Sequence, residues 1–170
     1  MNPMREIKIE KITLNVGAGK DQTKLEKGII LLKNITGLVP VKTVTKKRIP
    51  EWGLRPGLPI GCKITLRKKK ATELLKRLLD AADYKLSEQQ FDNEGNVAFG
   101  IHEYIDIPGV KYDPKIGVIG LEVCITLERA GFRIKRRSME KRKIPLRHKI
   151  SRKEAIEFMQ KNFNIAIGEK

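Results

Sequence analysis

The stretch IGCKITLRKKKATELLKRLLDAAD, residues 60–83, contains a candidate strand and a candidate helix in immediate succession. Over residues 60–67, apolar side chains alternate with glycine, polar or basic ones, which is typical of a strand with one buried face. From about Lys70 to Asp83, alanines and leucines recur three and four residues apart and form one apolar stripe. The stretch therefore predicts a half-buried strand followed by an amphipathic helix.

Similar patterns flank this stretch on both sides. Apolar residues or alternation predict further strands over residues 7–16, 39–47, 88–91, 96–105 and 121–127. In the first of these strands the apolar parity changes near Glu10, which indicates a bulge. The segment DNEG, residues 92–95, is a turn signal between two of the strands.

Two further helices are predicted from their end signals. One follows the sequence GAGK, residues 17–20; Thr23 and Glu26 are predicted to form its capping box and Gly37 to end it. The other spans residues 151–163 and begins with a second capping box, formed by Ser151 and Glu154.

These patterns together predict an α+β fold. Alternation, as opposed to solid apolar runs, favours a largely antiparallel sheet with helices packed on one face and a polar face opposite. Two segments rich in proline and glycine, residues 48–59 and 107–119, cannot continue a strand and are expected to protrude as loops. The 170 residues, 1–170, are expected to form a single domain.

The net charge of the chain indicates what kind of partner it binds. Lys and Arg number 36 against 20 Asp and Glu, so the formal net charge is +16 and the pI is near 10.0. Residues 129–153, hereafter the basic segment, hold 12 cationic side chains and one acid, Glu140. A polyanion would relieve this repulsion, and nucleic acid is the partner that such a charge favours. A solvated tail or an acidic membrane surface are the alternatives for such a run.

The sequence gives little indication of an enzymatic site or a metal site. The sequence NVGAGKD lacks the glycine that a Walker motif needs at Leu14 and the hydroxyl it needs at Asp21, although the amides of the turn could still touch a phosphate. The two histidines lie far apart in sequence, and no metal-ligand or general-acid spacing occurs. We therefore expect no catalytic residues, no metal and no cofactor. The two cysteines are expected to be buried reduced thiols, and the lack of a leader or long apolar run indicates a cytoplasmic protein without a membrane partner.

Several residues are candidates for RNA contact. Trp52 lies in a basic, proline-rich loop, where it could stack on a base or fold back onto the core. Thr65 and Arg67 lie on the predicted polar face of their strand, and Lys46 and Lys47 crowd the end of the strand before it. For Lys46, Lys47 and Arg67 the argument is charge and position alone.

Three stretches resemble one family of ribosomal proteins. They are EKITLNVGAGK (10–20), ITGLVPVKTVTKKRIPEWGLRPGLPIGCKITLR (35–67) and GNVAFGIHEYIDIPGVKYDPKIGVIGLEV (95–123). They are similar to the fifth protein of the large ribosomal subunit, which binds 5S rRNA in the central protuberance. The sequence RHKISRKEAIEFMQKNF, residues 147–163, resembles the archaeal and eukaryotic branch.

The resemblance assigns roles to individual residues. It implies that Asn15, Thr65 and Trp52 belong to the 5S rRNA surface. It also implies that the loop with Arg48, Trp52, Arg55 and Pro56 reaches peptidyl-site tRNA. The loop at residues 108–117 would bridge to a protein of the small-subunit head through Val110, Lys111, Tyr112 and Asp113. Further implied partners are neighbouring large-subunit rRNA and other proteins associated with 5S rRNA.

Two departures from bacterial members limit the transfer of roles. Leu38 stands where many of them have glutamine, so an RNA contact there is open, and their basic segment is much shorter. An unrelated module acting on messenger or transfer RNA is the alternative function, followed by an enzyme acting on nucleic acid.

Overall fold

Strand β1, Ile7–Gly17, is the central strand around which the chain folds. We describe residues 2–168 from a computed structural model. Ile12, Leu14 and Val16 are buried on one side of β1, as the alternation predicts. The register against a neighbouring strand shifts between Ile9 and Lys11, which confirms the bulge expected near Glu10.

Four more strands complete a five-stranded antiparallel sheet, and this confirms the predicted fold class. They are β2 (Val41–Val44), β3 (Pro59–Leu66), β5 (Val97–Ile101) and β6 (Leu121–Arg129), with β4 described below. Their order is β2–β3–β1–β6–β5, and every neighbouring pair is antiparallel. β1 and β3 agree with their predicted ranges to within one residue, and β2 and β5 are shorter than predicted. β6 is longer than predicted and extends to Arg129.

Helices α1 (Gln22–Thr36) and α2 (Lys68–Asp80) cover the apolar face of this sheet. The predicted capping box at the start of α1 is wrong, because the N-cap is Asp21, whose carboxylate accepts from the Thr23 and Lys24 amides. The predicted end at Gly37 is confirmed, with φ at +70°.

Between α2 and the C-terminus the structure differs from the prediction. The expected strand at residues 88–91 is wrong: Ser87 and Gln90 form a capping box around a single 3₁₀ turn. A short strand, β4 (Lys85–Ser87), precedes this turn and pairs in parallel with β7 (Ala166–Gly168), which the sequence did not indicate. Helix α3 (Arg152–Phe163) and its capping box are confirmed.

Candidate nucleic-acid interface

The face of the sheet opposite α1 and α2 carries a compact group of polar side chains. Asn15 lies opposite Lys63, and Thr13 lies opposite Thr65, in the paired strands β1 and β3. Thr65 and Lys63 are exposed, whereas Asn15 is half-buried between two neighbouring strands. Hydroxyl, amide and ammonium groups therefore meet on one open surface, which can hydrogen-bond to sugar hydroxyls and phosphates.

The side chain of Asn15 is hydrogen-bonded to a residue of β6, the strand on the other side of β1. Its Nδ2 donates to the Oε2 of Glu122, which lies opposite it on β6, over 3.3 Å. That bond fixes the orientation of the amide. Among residues 2–168, no side chain or amide donates to the side-chain oxygen of Asn15, which stays open as an acceptor.

Charge divides the polar face into two halves. The β3 half is cationic because of Lys63 and Arg67, whereas the β6 half carries Glu122 and Glu128. A polyanion is attracted to the first half and repelled by Glu122 on the second, whereas Glu128 is paired with Arg136. The half that contains Asn15 and Thr65 is thus the one suited to RNA.

Arg67 lies at the end of β3 in an ion-pair network. Its Nη1 is 3.0 Å from Oε1 of Glu10, a carboxylate that is only 10% exposed. Arg136 of the basic segment bonds to the same oxygen and also to Glu128. Arg67 is itself about half exposed, so it can still turn toward a phosphate, but it must share its charge with Glu10.

The loop between β2 and β3, residues 45–58, is anchored at its base and open at its tip. Thr45 is buried, and its amide and hydroxyl both donate to the carbonyl of Leu58. Leu54 is buried at the tip and pairs with Ile49, while Trp52 between them remains 65% exposed. Of the two alternatives for Trp52, the structure has the ring facing solvent.

The other candidates of this loop are all accessible. They are the exposed residues Lys46, Lys47, Arg48, Arg55 and Pro56. The neighbouring glycine turn offers less than the sequence suggested, because the amides of Ala18 and Gly19 both donate to the Ile60 carbonyl. These two amides are therefore not free for a phosphate.

The second protruding loop, residues 108–117, separates its candidates into two kinds. Lys111 and Tyr112 are exposed. Val110 packs against the core, and Asp113 holds the loop together: its amide donates to the Tyr104 hydroxyl and its carboxylate accepts from the Lys115 amide. Lys111 and Tyr112 are thus the residues available to a partner.

The basic segment is tied down by acids that sequence reasoning did not single out. Arg129 is buried and pairs with Glu154 over 2.6 Å. Lys135 and Lys149 both approach Glu94, and Arg136 pairs with Glu10. A second set of cations has no ion pair within residues 2–168, namely Arg133, Lys141, Arg142, Lys143, Arg147, Arg152 and Lys153. Ion pairs hold the segment against the fold, so it is not a loose tail. Of the second set, Arg152 donates to the Glu88 carbonyl, and the others are available to a partner.

Hydrogen bonds and burial explain two pKa shifts in this region. The Lys149 ammonium, assisted by Lys135, holds the pKa of Glu94 below its usual value. Burial raises the pKa of Glu154, but hydrogen bonds from Ser151 and Arg129 outweigh it and the net shift is downward. Both carboxylates are therefore held in the charged form that binds the basic segment.

Comparison with known proteins identifies the family. A model described as "Ribosomal protein L5" matches residues 2–55, and a model of the C-terminus of the same ribosomal family matches residues 59–158. The chain belongs to the ribosomal L5 family. Strands from both matched ranges lie in one sheet, since β1 and β2 come from the first and β3, β5 and β6 from the second.

Similar L5 proteins come from archaea. "Large ribosomal subunit protein uL5" of Sulfurisphaera tokodaii is 48% identical over 99% of this chain and 96% of its own. The protein of the same name from Nanoarchaeum equitans is 49% identical over 98% of both chains. That from Methanoculleus marisnigri is 44% identical over 98% of this chain and all of its own.

Membership of the L5 family makes the chain a structural, non-enzymatic constituent of the large ribosomal subunit, located with the ribosome in the cytoplasm. Within residues 2–168, no group of three metal-ligating side chains occurs. No helix in that range has the length and apolar content of a membrane span.

The two cysteines differ in placement. Cys62 is buried, as expected, but the expectation is wrong for Cys124, which lies on the polar face and is half-buried. Both are free thiols. The outward position of Cys124 follows from its parity in β6, because it alternates with the buried residues Val123 and Ile125.

Proposed function

We propose that the chain anchors 5S rRNA through the β1–β3 half of the open sheet face. The observation that carries this proposal is the meeting of Asn15, Lys63 and Thr65 on an uncovered, cationic surface. Direct hydrogen bonds between the RNA and the side chains of Asn15 and Thr65 would fix the position of the RNA on this face. The cations Lys63, Arg67, Lys46 and Lys47 would neutralise phosphates.

The two loops would serve other partners. The tip with Arg48, Trp52, Arg55 and Pro56 is exposed and basic, and it suits a passing tRNA backbone at the peptidyl site. Lys111 and Tyr112 would contact a protein of the small-subunit head, with Val110 and Asp113 supporting the loop from inside. The free cations of the basic segment would face neighbouring large-subunit rRNA, and other 5S-associated proteins would lie beside this assembly.

Competition binding tests the 5S rRNA proposal. The protein is bound to labelled archaeal 5S rRNA, and unlabelled 5S rRNA, tRNA or a messenger fragment as long as 5S rRNA is added as competitor. We expect 5S rRNA to be preferred by about tenfold or more, because matched hydrogen bonds each add about 1 kcal/mol to the shared electrostatic attraction. Equal competition by all three RNAs would contradict the proposal.

A matched pair of charge reversals locates the surface. Lys63→Glu places the new acid on the polar face, whereas Lys76→Glu places it on α2, and both change the net charge equally. Only Lys63→Glu is expected to abolish the preference for 5S rRNA. Equal losses in both variants would mean that total charge, and not this face, binds the RNA.

A further inference from the structure

A cleft is formed largely by residues of the basic segment. It encloses about 560 Å³, within the size range of small-molecule sites. Its apolar lining comes from Phe132, Ile144, Leu146 and Ile150. Leu146 is 83% exposed. An apolar cleft lined by an exposed leucine is suited to an apolar or aromatic occupant.

Cations line the cleft together with these apolar residues. Lys141, Arg142 and Lys143 follow one another along one side, are exposed, and form no ion pair within residues 2–168. On another side, Glu94 holds Lys149 at 2.7 Å and Lys135 at 3.7 Å. The occupant must therefore combine a flat or apolar part with negative charge close beside it.

The walls of the cleft are held by bonds of the protein itself. The ring of His148 lies edge-on to Phe132 with centroids 5.8 Å apart, and its Nε2 is bonded to the Ala130 carbonyl over 2.8 Å. The Arg142 amide donates to the Ile134 carbonyl, which ties Arg142 to the chain close to Phe132. These bonds hold Phe132 and the backbone of Arg142 in place, which lowers the ordering cost of binding at these two residues.

We propose that this cleft receives one unpaired base of an RNA chain, with the adjoining phosphates on Lys141, Arg142 and Lys143. This inference rests on the proposed RNA-binding function and assigns a site to it. The apolar face of a base can pack against Phe132 and Leu146. The phosphates on either side of the base can then pair with the three cations. An apolar side chain of a protein would fill the apolar part of the cleft but would offer no negative charge to the three cations.

The test separates the base from the phosphates. The full chain is titrated by fluorescence anisotropy with a labelled short oligoadenylate and with an abasic oligomer that has the same number of phosphates. The ratio of the two dissociation constants measures what the bases contribute. Leu146→Ala is compared with Met139→Ala, since Met139 is 80% exposed in the same segment but does not line the cleft. Thermal melts establish that both variants are folded.

The wild-type protein should bind oligoadenylate about tenfold more tightly than the abasic oligomer. Leu146→Ala should reduce that ratio severalfold, as should Phe132→Leu, which keeps apolar volume and removes the ring. Met139→Ala should leave the ratio unchanged. A wild-type ratio of one overturns the proposal and leaves an apolar protein segment as the occupant. A high ratio that Leu146→Ala does not change also overturns it, because the base would then bind elsewhere, for example at Trp52.

Binding of intact 5S rRNA is measured in parallel. If the ratio fails while 5S rRNA still binds and remains sensitive to Lys63→Glu, only the cleft assignment is wrong. If 5S rRNA does not bind selectively at all, the proposed function itself fails.

Discussion

Glu10 joins the polar face of the sheet to the basic segment. The bulge between Ile9 and Lys11 turns it out of the regular alternation, and its carboxylate accepts from both Arg67 and Arg136. A charge-assisted bond to a nearly buried carboxylate is stronger than one at an exposed pair. Arg67 therefore does two things at once: it stabilises the fold and it supplies charge next to Thr65.

Asn15 and Thr65 are the residues whose loss should weaken RNA binding without unfolding the protein. Neither contributes to the apolar face, so Asn15→Ala and Thr65→Ala should melt normally. Each should weaken 5S rRNA binding by about 1–3 kcal/mol, because a partner group in the interface is left unsatisfied. Filter binding measures the change, with Thr72→Ala, an exposed position on α2, as the control. Unchanged affinity in both variants would move the RNA surface elsewhere.

Gly95 is a residue that the fold needs for two separate reasons. Its φ is +80°, and a Cβ at this position would lie 2.6 Å from Cγ2 of Ile150, which is buried. Gly57 has the same backbone constraint, with φ at +86°, but nothing within 4 Å of a Cβ. Gly57→Ala thus measures the backbone cost alone.

Gly95→Ala should destabilise the protein more than Gly57→Ala does. We expect a difference of about 1–3 kcal/mol in the free energy of unfolding, the cost of overpacking a buried site. Urea denaturation measures it. Equal losses would show that Ile150 and the basic segment move aside at little cost.

Among the secondary-structure elements, the sequence predicted those whose pattern is carried by their own residues. The strands around Ile12, Ile64 and Val123 and helix α2 have strong periodicity, and their predictions are confirmed. The strand expected at residues 88–91 was wrong because the local bonds of Ser87 and Gln90 outweigh strand propensity there. Strands β4 and β7 were missed because three residues are too few to show a period.

In the candidate site, too, only the residues that belong to a clear sequence pattern could be placed from the sequence. Thr65 and Arg67 could be placed on the open face from parity alone, whereas the role of Asn15 came from family resemblance. The acids that hold the basic segment, Glu10, Glu94 and Glu154, could not be assigned, since each meets its partner only through the tertiary fold. One local signal existed: Glu154 was visible as half of a capping box.

The start of α3 is tied to the end of β6 by Glu154, and this tie should give an acid-dependent stability. The pKa of Glu154 is lowered in the folded state, so its contribution is full above its ordinary value of 4.5 and is lost as pH falls through the folded-state pKa. Glu154→Gln should cost about 1–2 kcal/mol at neutral pH, because the buried Arg129 loses its charged partner. The cost is not larger because the Glu154 side chain is 42% exposed and solvent screens the pair.

The same variant should lose less stability than the wild type between neutral pH and pH values below the ordinary pKa of Glu154. Urea denaturation across this range measures the difference. Glu157→Gln, exposed on the same helix, is the control and should behave as the wild type does. Parallel pH profiles for Glu154→Gln and the wild type would contradict the tie.

The loop between β2 and β3 should serve translation and not assembly. Leu54 is buried, so removing the whole loop would damage the fold, but Trp52 and Arg55 are exposed and can be changed alone. A Trp52→Ala, Arg55→Gln double variant should enter large subunits normally and hold peptidyl-site tRNA several-fold more weakly, as loss of a stacking contact and a charge implies.

Toeprint or filter binding of tRNA to reconstituted ribosomes measures this effect. A Tyr112→Ala, Lys111→Gln double variant is the matched control, since it removes one aromatic and one cation from the other protruding loop. It should not alter tRNA binding. Failure of the Trp52 variant to enter subunits while folded would make its loop an assembly contact.

Across the protein as a whole, the net charge of +16 overstates what an RNA meets. Lys135, Arg136 and Lys149 pair with acids of the fold, and the β6 half of the polar face is itself acidic. Many of the other cations lie on α1 and α2, on the opposite side of the sheet, where an RNA bound to the polar face does not meet them. We therefore expect the number of phosphates neutralised to be well below the number of Lys and Arg residues.

The salt dependence of 5S rRNA binding should report this distribution. Each phosphate that a Lys or Arg neutralises releases counterions, so log K should fall with log salt by about 0.7–0.9 per contact. The total slope should be much smaller than 36 cationic side chains would give, because those on α1 and α2 and those held in ion pairs do not meet the RNA. A flat response in the wild type would mean that charge does not bind the RNA.

Variants within the same measurement locate the charge that acts. Lys46→Gln combined with Lys47→Gln should reduce the slope by about 1.4–1.8, because two phosphate contacts are lost. Lys76→Gln, on the helical side, should leave the slope unchanged. An equal reduction per residue by Lys76→Gln would mean that charge acts from the whole surface. If the double variant keeps the wild-type slope, Lys46 and Lys47 touch no phosphate, and the cationic side of the site ends at β3.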